Sequence, residues 1–173
     1  MHSWRVILLK FCAPEQCSGY DFDEPWDGPH NRRLHDRAPE FLQCPSRRPS
    51  GNTSYVLVTG PGTLFAKGRD ATMSEITDDP AHTLLLAEVS STDINWLEPR
   101  DLDTATMSFR IDDETRPAIS SSHPEGPAVG FANYRVHRLS PDGADPERIK
   151  ALTTIAGGEP VDLSPLIDAT KRD

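Results

Sequence analysis

The sequence predicts an α+β domain with a mainly antiparallel central sheet, short flanking helices and long loops. Two apolar runs, at residues 55–59 and 83–89, lack strict alternation, which is typical of strands covered on both faces at the centre of a sheet. Residues 134–139 alternate apolar and polar side chains at period two, as a half-buried strand does. The 16 prolines and 11 glycines indicate short elements joined by loops.

The length and charge of the chain limit its organisation and its partners. Its 173 residues fit one domain, with a core at 4–139, a C-terminal helix at 145–157 and a weakly patterned, mobile tail at 160–173. The formal net charge of −9 repels phosphate backbones, so we do not expect nucleic-acid binding. No apolar run reaches the roughly 20 residues that a membrane span needs, so no span is predicted.

Short elements are predicted before the first apolar run. Residues 4–12 fit either a helix or a strand, and Pro14 ends the element in both cases. Residues 29–38 are helical in composition, with a proline near the first turn. Residues 41–54 are rich in turn formers and predict a loop.

The connection between the two apolar runs has its own signals. A Gly-Pro-Gly sequence at residues 60–62 turns the chain. The S/T-x-x-E spacing of residues 72–75 predicts a capping box and one short helix. This helix ends before Pro80, because the residue that precedes a proline is driven out of the α region.

Further elements are predicted after the second apolar run. Residues 94–97 fit a short edge strand, and residues 103–111 fit a short helix with an aspartate N-cap. Residues 129–139 predict a β-hairpin. The C-terminal helix begins with Asp145 as its N-cap, and Gly157 stops it.

The three cysteines are Cys12, Cys17 and Cys44. An odd number allows at most one internal disulfide and leaves one thiol over. The C-x4-C spacing has no second pair at a zinc-ligand interval, so structural thiols are the favoured interpretation over a bridge.

Four carboxylates crowd into one short stretch, at Asp21, Asp23, Glu24 and Asp27. Hard cations such as Ca²⁺ are bound by oxygen ligands, so these residues are candidate metal ligands. The glycine and the glutamate of an EF-hand loop are absent, because Trp26 and Arg32 stand at those positions. A surface turn that caps the following helix, with Phe22 and Trp26 packed inward, is the favoured interpretation.

A second group of carboxylates follows the second apolar run, at Glu88, Asp93, Glu98, Asp101 and Asp103. If they converge with Trp96 on one rim, they can act as a general acid and base or hold a metal. Solvated carboxylates are the favoured interpretation, because no nucleophile is paired with them. The serines before His123 lack a G-x-S-x-G elbow, and the spacing of His30 and His35 favours solvated rather than ligating imidazoles.

Several motifs resemble one known family. They are S-Y-V-L-V-T-G-P-G-T at 54–63, T-L-L-L-A-E-V at 83–89, W-L-E-P-R-D-L-D at 96–103, D-F-D-E-P-W-D-G-P-H-N-R at 21–32 and C-P-S at 44–46. His123 and Asn133 fall where the family has an H-x9-D-G signature. Over residues 4–139 the chain thus resembles the bacterial pseudopilin-like family known as domain of unknown function 1559.

The resemblance implies the globular head of a pseudopilin, with a helix at residues 4–12 and an extracytoplasmic or cell-envelope setting. Members usually begin with a prepilin-type leader and a long hydrophobic helix, and this sequence starts after the point where that helix ends. If Met1 is the native start, a cytoplasmic location is expected instead. Asn133-Tyr134 stands where the family has Asp-Gly, and a tyrosine there carries a steric cost in a turn that needs positive φ.

We therefore expect a non-enzymatic structural or interaction module, with protein partners or self-assembly and without a resident cofactor or catalytic residue. The candidate interaction or family-motif residues are Trp26, Glu88, Trp96, Glu98, Asp101, His123 and Asn133. The two tryptophans are the first candidates for binding hot spots. The alternative is a divalent-cation-dependent domain that binds or hydrolyses a ligand through its acidic clusters.

Overall fold

Five short strands form a mixed sheet in the computed structural model, which describes residues 1–68 and 72–167. The strands are β1 (Tyr55–Thr59), β2 (Leu84–Glu88), β3 (Leu102–Asp103), β4 (Ala128–Phe131) and β5 (Val136–Arg138). Their order is β3-β1-β2-β4-β5, with every neighbouring pair antiparallel except β1 and β3. About 21% of the chain is helical and 16% is strand, which confirms the α+β class and the predominance of loops.

The helices are short. The α-helices are α1 (Trp4–Cys12) and α2 (Pro146–Ala151). The 3₁₀ turns are Pro14–Cys17, Asn31–Leu34, Glu40–Leu42, Met73–Glu75, Pro80–His82 and Pro141–Gly143. Among the residues that the structure describes, no helix has the length and the apolar composition that crossing a membrane requires.

The chain divides into two compact units. Unit 1 consists of Met1–Ser54 and Thr92–Arg100, and unit 2 consists of Tyr55–Ser91 and Asp101–Asp173. That the two units fold together as a single domain stays a prediction.

The core of unit 1 is built around α1. Ser3 caps the helix by accepting a hydrogen bond from the backbone N–H of Arg5, at 3.2 Å. Val6 and Leu9 are fully buried on one face of the helix. They belong to a cluster that also contains Tyr20, Leu34, Leu42, Trp96 and Leu97. The helix predicted for residues 4–12 is therefore confirmed.

Two predicted elements of unit 1 are corrected by the structure. The helix predicted at 29–38 is only the 3₁₀ turn Asn31–Leu34, because Leu34 is the one apolar side chain of that turn to be buried and a single anchor does not hold a longer helix. The edge strand predicted at 94–97 is a single bridge between Asn52 and Asn95. The Asn95 side chain then accepts from the backbone N–H of Leu97 at 3.1 Å, which turns the chain instead of extending it.

The sheet of unit 2 begins where the sequence predicts. β1 occupies residues 55–59 and pairs with β2 from Tyr55–Glu88 to Leu57–Leu86. The capping box is confirmed, with Thr72 and Glu75 bonded reciprocally. Gly60 has φ +129°, and a Cβ atom there would lie 2.2 Å from the hydroxyl oxygen of Thr104, so only glycine fits this turn.

The helix predicted at 103–111 is wrong. Asp103 ends β3, and its carbonyl accepts from Thr106 at 3.0 Å and from Met107 at 2.8 Å, so it does begin one turn. The chain then leaves the helical path, because the N–H of Ser108 donates to Pro117 at 2.8 Å. Pairing with a distant segment thus replaces the second helical turn.

The C-terminal region also differs from the prediction. α2 begins at Pro146 behind the Asp145 N-cap, as predicted, but it ends at Ala151 and not near Gly157. The N–H of Ile155 donates to the carbonyl of Gly62 at 3.0 Å, and the carbonyl of Leu152 accepts from the N–H of Leu84 at 2.7 Å, so both groups bond outside the helix and the chain leaves the helical path.

The tail contains a buried anchor. Leu166 is fully buried, and its carbonyl accepts from Ser140 at 2.7 Å, so this part of the tail is fixed in place, contrary to the predicted mobility. The rest of the predicted tail, residues 168–173, lies outside the described residues.

The predicted hairpin is confirmed as β4 and β5, and its turn explains the tyrosine. The N–H of Tyr134 donates to Phe131 at 3.0 Å, and the N–H of Phe131 donates to Arg135 at 2.9 Å. Tyr134 has φ +64°, the left-handed conformation that a three-residue hairpin loop requires at this position. Tyr134 therefore adopts the sterically unfavourable conformation that the sequence predicts at this position, and this conformation destabilises the folded state.

Candidate functional site

A buried asparagine organises the first acidic loop in unit 1. Asn31 is fully buried, and its side-chain nitrogen donates to the carbonyls of Asp21, at 2.8 Å, and Pro25, at 2.9 Å. Its side-chain oxygen accepts from the backbone N–H of Asp21 at 2.8 Å. These three bonds close the loop between residues 21 and 31, so the carboxylates sit on a fixed backbone.

Glu24 is the most constrained carboxylate of this loop. One oxygen accepts from the backbone N–H of Asn31 at 2.6 Å, and the other lies 3.2 Å from Nδ1 of His30. Desolvation raises the pKa of Glu24, but the hydrogen bonds from Asn31 and His30 outweigh it and lower the pKa below its ordinary value. The pKa of Glu24 is therefore lower in the folded protein than in the unfolded chain. The hydrogen bonds to the ionised Glu24 carboxylate stabilise the fold above the unfolded-state pKa, and this stabilisation is lost as the pH falls through the folded-state pKa.

The structure selects a different set of metal-ligand candidates from the one predicted. Ligand atoms of Asp21, Glu24 and His30 all lie within 4.8 Å of one another. Asp23 and Asp27 belong to no such group in the described part of the chain. His30, expected to be solvated, joins the group because the turn at residues 25–29 folds it back onto Glu24.

The favoured interpretation of the loop as a capping turn matches these contacts. Glu24 caps the 3₁₀ turn that begins at Asn31, and Phe22 and Trp26 pack half-buried against the core of unit 1. Trp26 stacks on His35, with ring centroids 5.1 Å apart and an angle of 18° between the planes. Burial, with a smaller effect of the Glu24 charge, raises the pKa of Tyr20 to about 12.

Trp96 is a core residue and not an exposed binding residue, which corrects the prediction. It is 1% exposed, and its indole N–H donates to the carbonyl of Leu34 at 2.9 Å. The pattern around it was ambiguous, since tryptophan occurs both in cores and in interfaces.

The carboxylates of the second acidic group have separate structural partners. In unit 1, Arg100 binds Asp93 at 3.0 Å and Glu98 at 2.7 Å. The hydrogen bond from Arg100 lowers the pKa of Asp93. In unit 2, Asp101 accepts from the backbone N–H of Leu57 at 2.9 Å, and Asp103 accepts from that of Ala105 at the same distance. Each carboxylate thus has a local role in holding the backbone or a neighbouring cation.

Glu88 is the buried member of the group, 2% exposed at the end of β2. One oxygen accepts from the hydroxyl of Ser121 at 3.0 Å, and the other accepts from the backbone N–H of Ala128 at 2.9 Å. Nη1 of Arg138 lies 3.8 Å from the carboxylate, and Nε2 of His123 lies 3.9 Å away. The sequence alone indicates only that Glu88 is an acidic residue at the end of a strand. In the folded protein Glu88 is the centre of a polar network.

The two residues at the positions of the family signature have different environments. His123 lies beside Glu88 and is half-buried, and its backbone N–H donates to the hydroxyl of Ser121 at 3.1 Å. Asn133 lies in the hairpin loop, where its side chain accepts from the N–H of Arg135 at 3.0 Å. The Ser121 hydroxyl donates to a carboxylate, so the hydrogen bond directs its proton away from the imidazole.

A shallow depression of about 430 Å³ lies on unit 2 near Asp78, Asp79, His82 and Glu159. Asp78 accepts from the N–H groups of Gly157, at 2.8 Å, and Gly158, at 2.9 Å. Asp79 accepts from that of Ala81 at 2.8 Å. Both aspartates here also hold loops in place.

No family model, curated protein or solved structure matches the chain.

Proposed function

We propose that this protein is a non-enzymatic structural or interaction module, with the role of a pseudopilin-like head domain in an extracytoplasmic assembly. One observation carries the interaction part of this proposal, the exposed apolar face of α1. The setting rests on the resemblance of the motifs at 21–32, 54–63 and 83–103. The structural roles of the acidic residues support a module without catalysis.

The helix α1 has two apolar faces, and only one of them is covered. Val6 and Leu9 are fully buried, whereas Ile7 and Leu8 are each 45% exposed and Phe11 is 79% exposed. Phe11 follows Leu8 by three residues and Ile7 by four, so the three side chains form one stripe along the helix. A continuous apolar stripe of this kind marks an interaction surface.

The spacing of the stripe indicates what it binds. Residues at these intervals pack into the groove of another helix, which is the geometry of helix-in-groove recognition. The proposed partner is therefore an apolar helix of another protein in the same assembly. Lys10, the exposed basic residue of α1, lies over the ring of Phe22 at 4.9 Å and is thus held away from this stripe.

Site-specific crosslinking tests this proposal. Cys12 is exposed next to Phe11 and accepts a benzophenone maleimide in a Cys17→Ser background, since Cys44 is buried. Illumination in the native cells is expected to give one discrete crosslinked product. Adding Phe11→Glu is expected to reduce that product at least tenfold, because a charge in an apolar groove costs more than 1.4 kcal/mol.

Phe41→Glu is the matched control. Phe41 is a second exposed phenylalanine of unit 1, at 48% exposure, and lies outside α1. Its replacement is expected to leave the crosslink unchanged, and circular dichroism checks that both variants are folded. Loss of the crosslink in both variants, or in neither, contradicts a specific role for the α1 stripe.

The group of Asp21, Glu24 and His30 favours a second candidate function, the divalent-cation-dependent domain. Two carboxylates and an imidazole are ligands that Zn²⁺ accepts, whereas an imidazole is a poor ligand for Ca²⁺. The loop that Asn31 closes holds all three on one short segment. If a metal binds here, we expect Zn²⁺ in preference to Ca²⁺, in contrast to the hard-cation site indicated by the sequence.

Thermal melting with each ion tests the metal candidate. An ion that binds only the folded state adds about 2.7 kcal/mol at a hundredfold excess over Kd, so Zn²⁺ is expected to raise the melting temperature clearly. His30→Ala is expected to abolish the rise. His35→Ala is the matched control, since His35 stacks on Trp26 outside the group. A rise that survives His30→Ala, or no rise with any ion, rules this site out.

A further inference from the structure

The edge strand β5 of unit 2 carries an inference independent of α1. β5 is the last strand in the order β3-β1-β2-β4-β5. The carbonyl of Arg135 accepts from Phe131, and the N–H of Leu139 donates to Pro127, both at 2.9 Å. Residues 135 and 139 therefore face β4. Because backbone groups alternate along a strand, the N–H and C=O of Val136 face away from the sheet.

The exposed side chains at this edge are larger and more apolar than an edge strand needs. Tyr134 is 83% exposed and Val136 is 71% exposed, so two large side chains near the start of β5 are left to solvent. Tyr134 also holds the left-handed conformation, at φ +64°, which is costly for a bulky side chain. A strained and exposed aromatic residue is an observation from which a binding role is inferred.

The charge of the edge selects the partner. Residues 134–138 contain Arg135, His137 and Arg138 and no acid, although unit 2 as a whole has 18 acidic and 10 basic residues. Arg138 is engaged with the carbonyl of Gly126 at 2.9 Å. Arg135 is exposed on the opposite face from Val136. An incoming strand therefore meets a positive charge on one face and apolar side chains on the other.

These features argue against a second copy of β5 as the occupant. Charged side chains on an edge strand discourage pairing with an identical strand, since like charges would then lie across from each other. The same charges favour a strand of opposite sign. The bridge between Leu139 and Ile167 lies just beyond the end of β5, so within residues 1–68 and 72–167 the open part of this edge is at Val136.

We propose that β5 binds an extended acidic segment of a partner protein by strand addition, with acidic and apolar residues alternating along the incoming strand. Its backbone pairs with the outward N–H and C=O of Val136. Its acidic side chains lie on the face of Arg135, and its apolar side chains lie on the face of Val136, near the exposed ring of Tyr134. This site is on unit 2 and does not depend on the function proposed for α1.

Fluorescence anisotropy with a labelled Glu-Val-Glu-Val-Glu-Val-Glu peptide tests the proposal on the full chain. We expect saturable binding that weakens as salt increases, and no binding of the matched Lys-Val peptide. Arg135→Glu is expected to weaken binding at least tenfold. Equal binding of the two peptides, or no binding of either, overturns the proposal.

Two further variants separate backbone pairing from simple charge attraction. Val136→Pro removes the N–H that faces away from β4 and is expected to abolish binding, whereas Val136→Thr retains that N–H and is expected to bind. Tyr134→Gly is expected to weaken binding and to raise the melting temperature by about 2–4 °C, because glycine adopts the left-handed conformation without steric cost. If Val136→Pro fails to fold, Tyr134→Gly still tests the proposal, because it is expected to bind the peptide more weakly while being more stable.

Phe11→Glu in α1 is expected to leave peptide binding unchanged. A failure of the crosslinking experiment and a failure of this one are therefore distinguishable. Binding that persists in folded Val136→Pro and in Arg135→Glu contradicts strand addition at β5.

Discussion

Replacing Glu88 by alanine is expected to destabilise the protein by about 3 kcal/mol, because it removes the buried acceptor of a polar network. The carboxylate is 2% exposed and accepts from the Ser121 hydroxyl and the Ala128 N–H. Both donors lose their partner in the variant, and Arg138 loses the anion 3.8 Å from its guanidinium. The urea midpoint of unfolding measures the change, with an unchanged m-value showing that stability alone was altered.

Two companion variants give this prediction its controls. Glu88→Gln retains an acceptor oxygen and the shape of the side chain, so it is expected to cost about half as much. Glu125→Ala removes the same charge from an exposed position of unit 2, and it is expected to change stability by less than about 0.5 kcal/mol. Equal effects of Glu88→Ala and Glu125→Ala would mean that net charge, and not the buried network, sets the cost.

The elements that the sequence predicts correctly are those with short-range causes. The bounds of β1, the capping box of Thr72 and Glu75 and the Asp145 N-cap each depend on residues within one turn or one strand. Local chemistry suffices there, because the hydrogen bonds join residues that are near in sequence.

The two helix predictions that fail in unit 2 have long-range causes. A turn begins at Asp103 as its N-cap chemistry predicts, but Ser108 pairs with Pro117 and stops the helix. α2 ends early because the N–H of Ile155 donates to Gly62 and the carbonyl of Leu152 accepts from Leu84. In both places a tertiary hydrogen bond overrides a local preference of a few tenths of a kcal/mol per residue, which is too weak to resist it.

The candidate site was predictable in part for the same reason. The density of carboxylates points to Asp21 and Glu24, but the sequence does not point to His30. The helical spacing rule for paired imidazoles does not apply there, because the chain forms a turn closed by Asn31. The network around Glu88 joins β2 to residues that follow it by 33 and 40 positions, Ser121 and Ala128. No local pattern in the sequence marks contacts of that range.

Replacing Trp96 by alanine is expected to destabilise the protein by about 4 kcal/mol, the largest effect that we expect from a single substitution in unit 1. The side chain is 1% exposed and packs in the cluster that contains Val6, Leu9 and Leu97. Its loss leaves a cavity and also leaves the carbonyl of Leu34 without its indole donor. Urea unfolding followed by circular dichroism measures the cost without relying on the tryptophan that is removed.

Two other aromatic substitutions separate the causes of this effect. Trp96→Phe retains most of the packing and removes the hydrogen bond to Leu34, so it is expected to cost about 1–3 kcal/mol. Trp26→Ala removes a half-buried ring stacked on His35, and it is expected to cost less than Trp96→Ala because less apolar area is lost from the core. A greater cost for Trp26→Ala would contradict the assignment of Trp96 to the core. A greater cost for Trp96→Ala would show that Trp96 is the tryptophan on which the fold depends. Trp26, in the acidic loop, would then be the one that can contribute to binding without being essential to the fold.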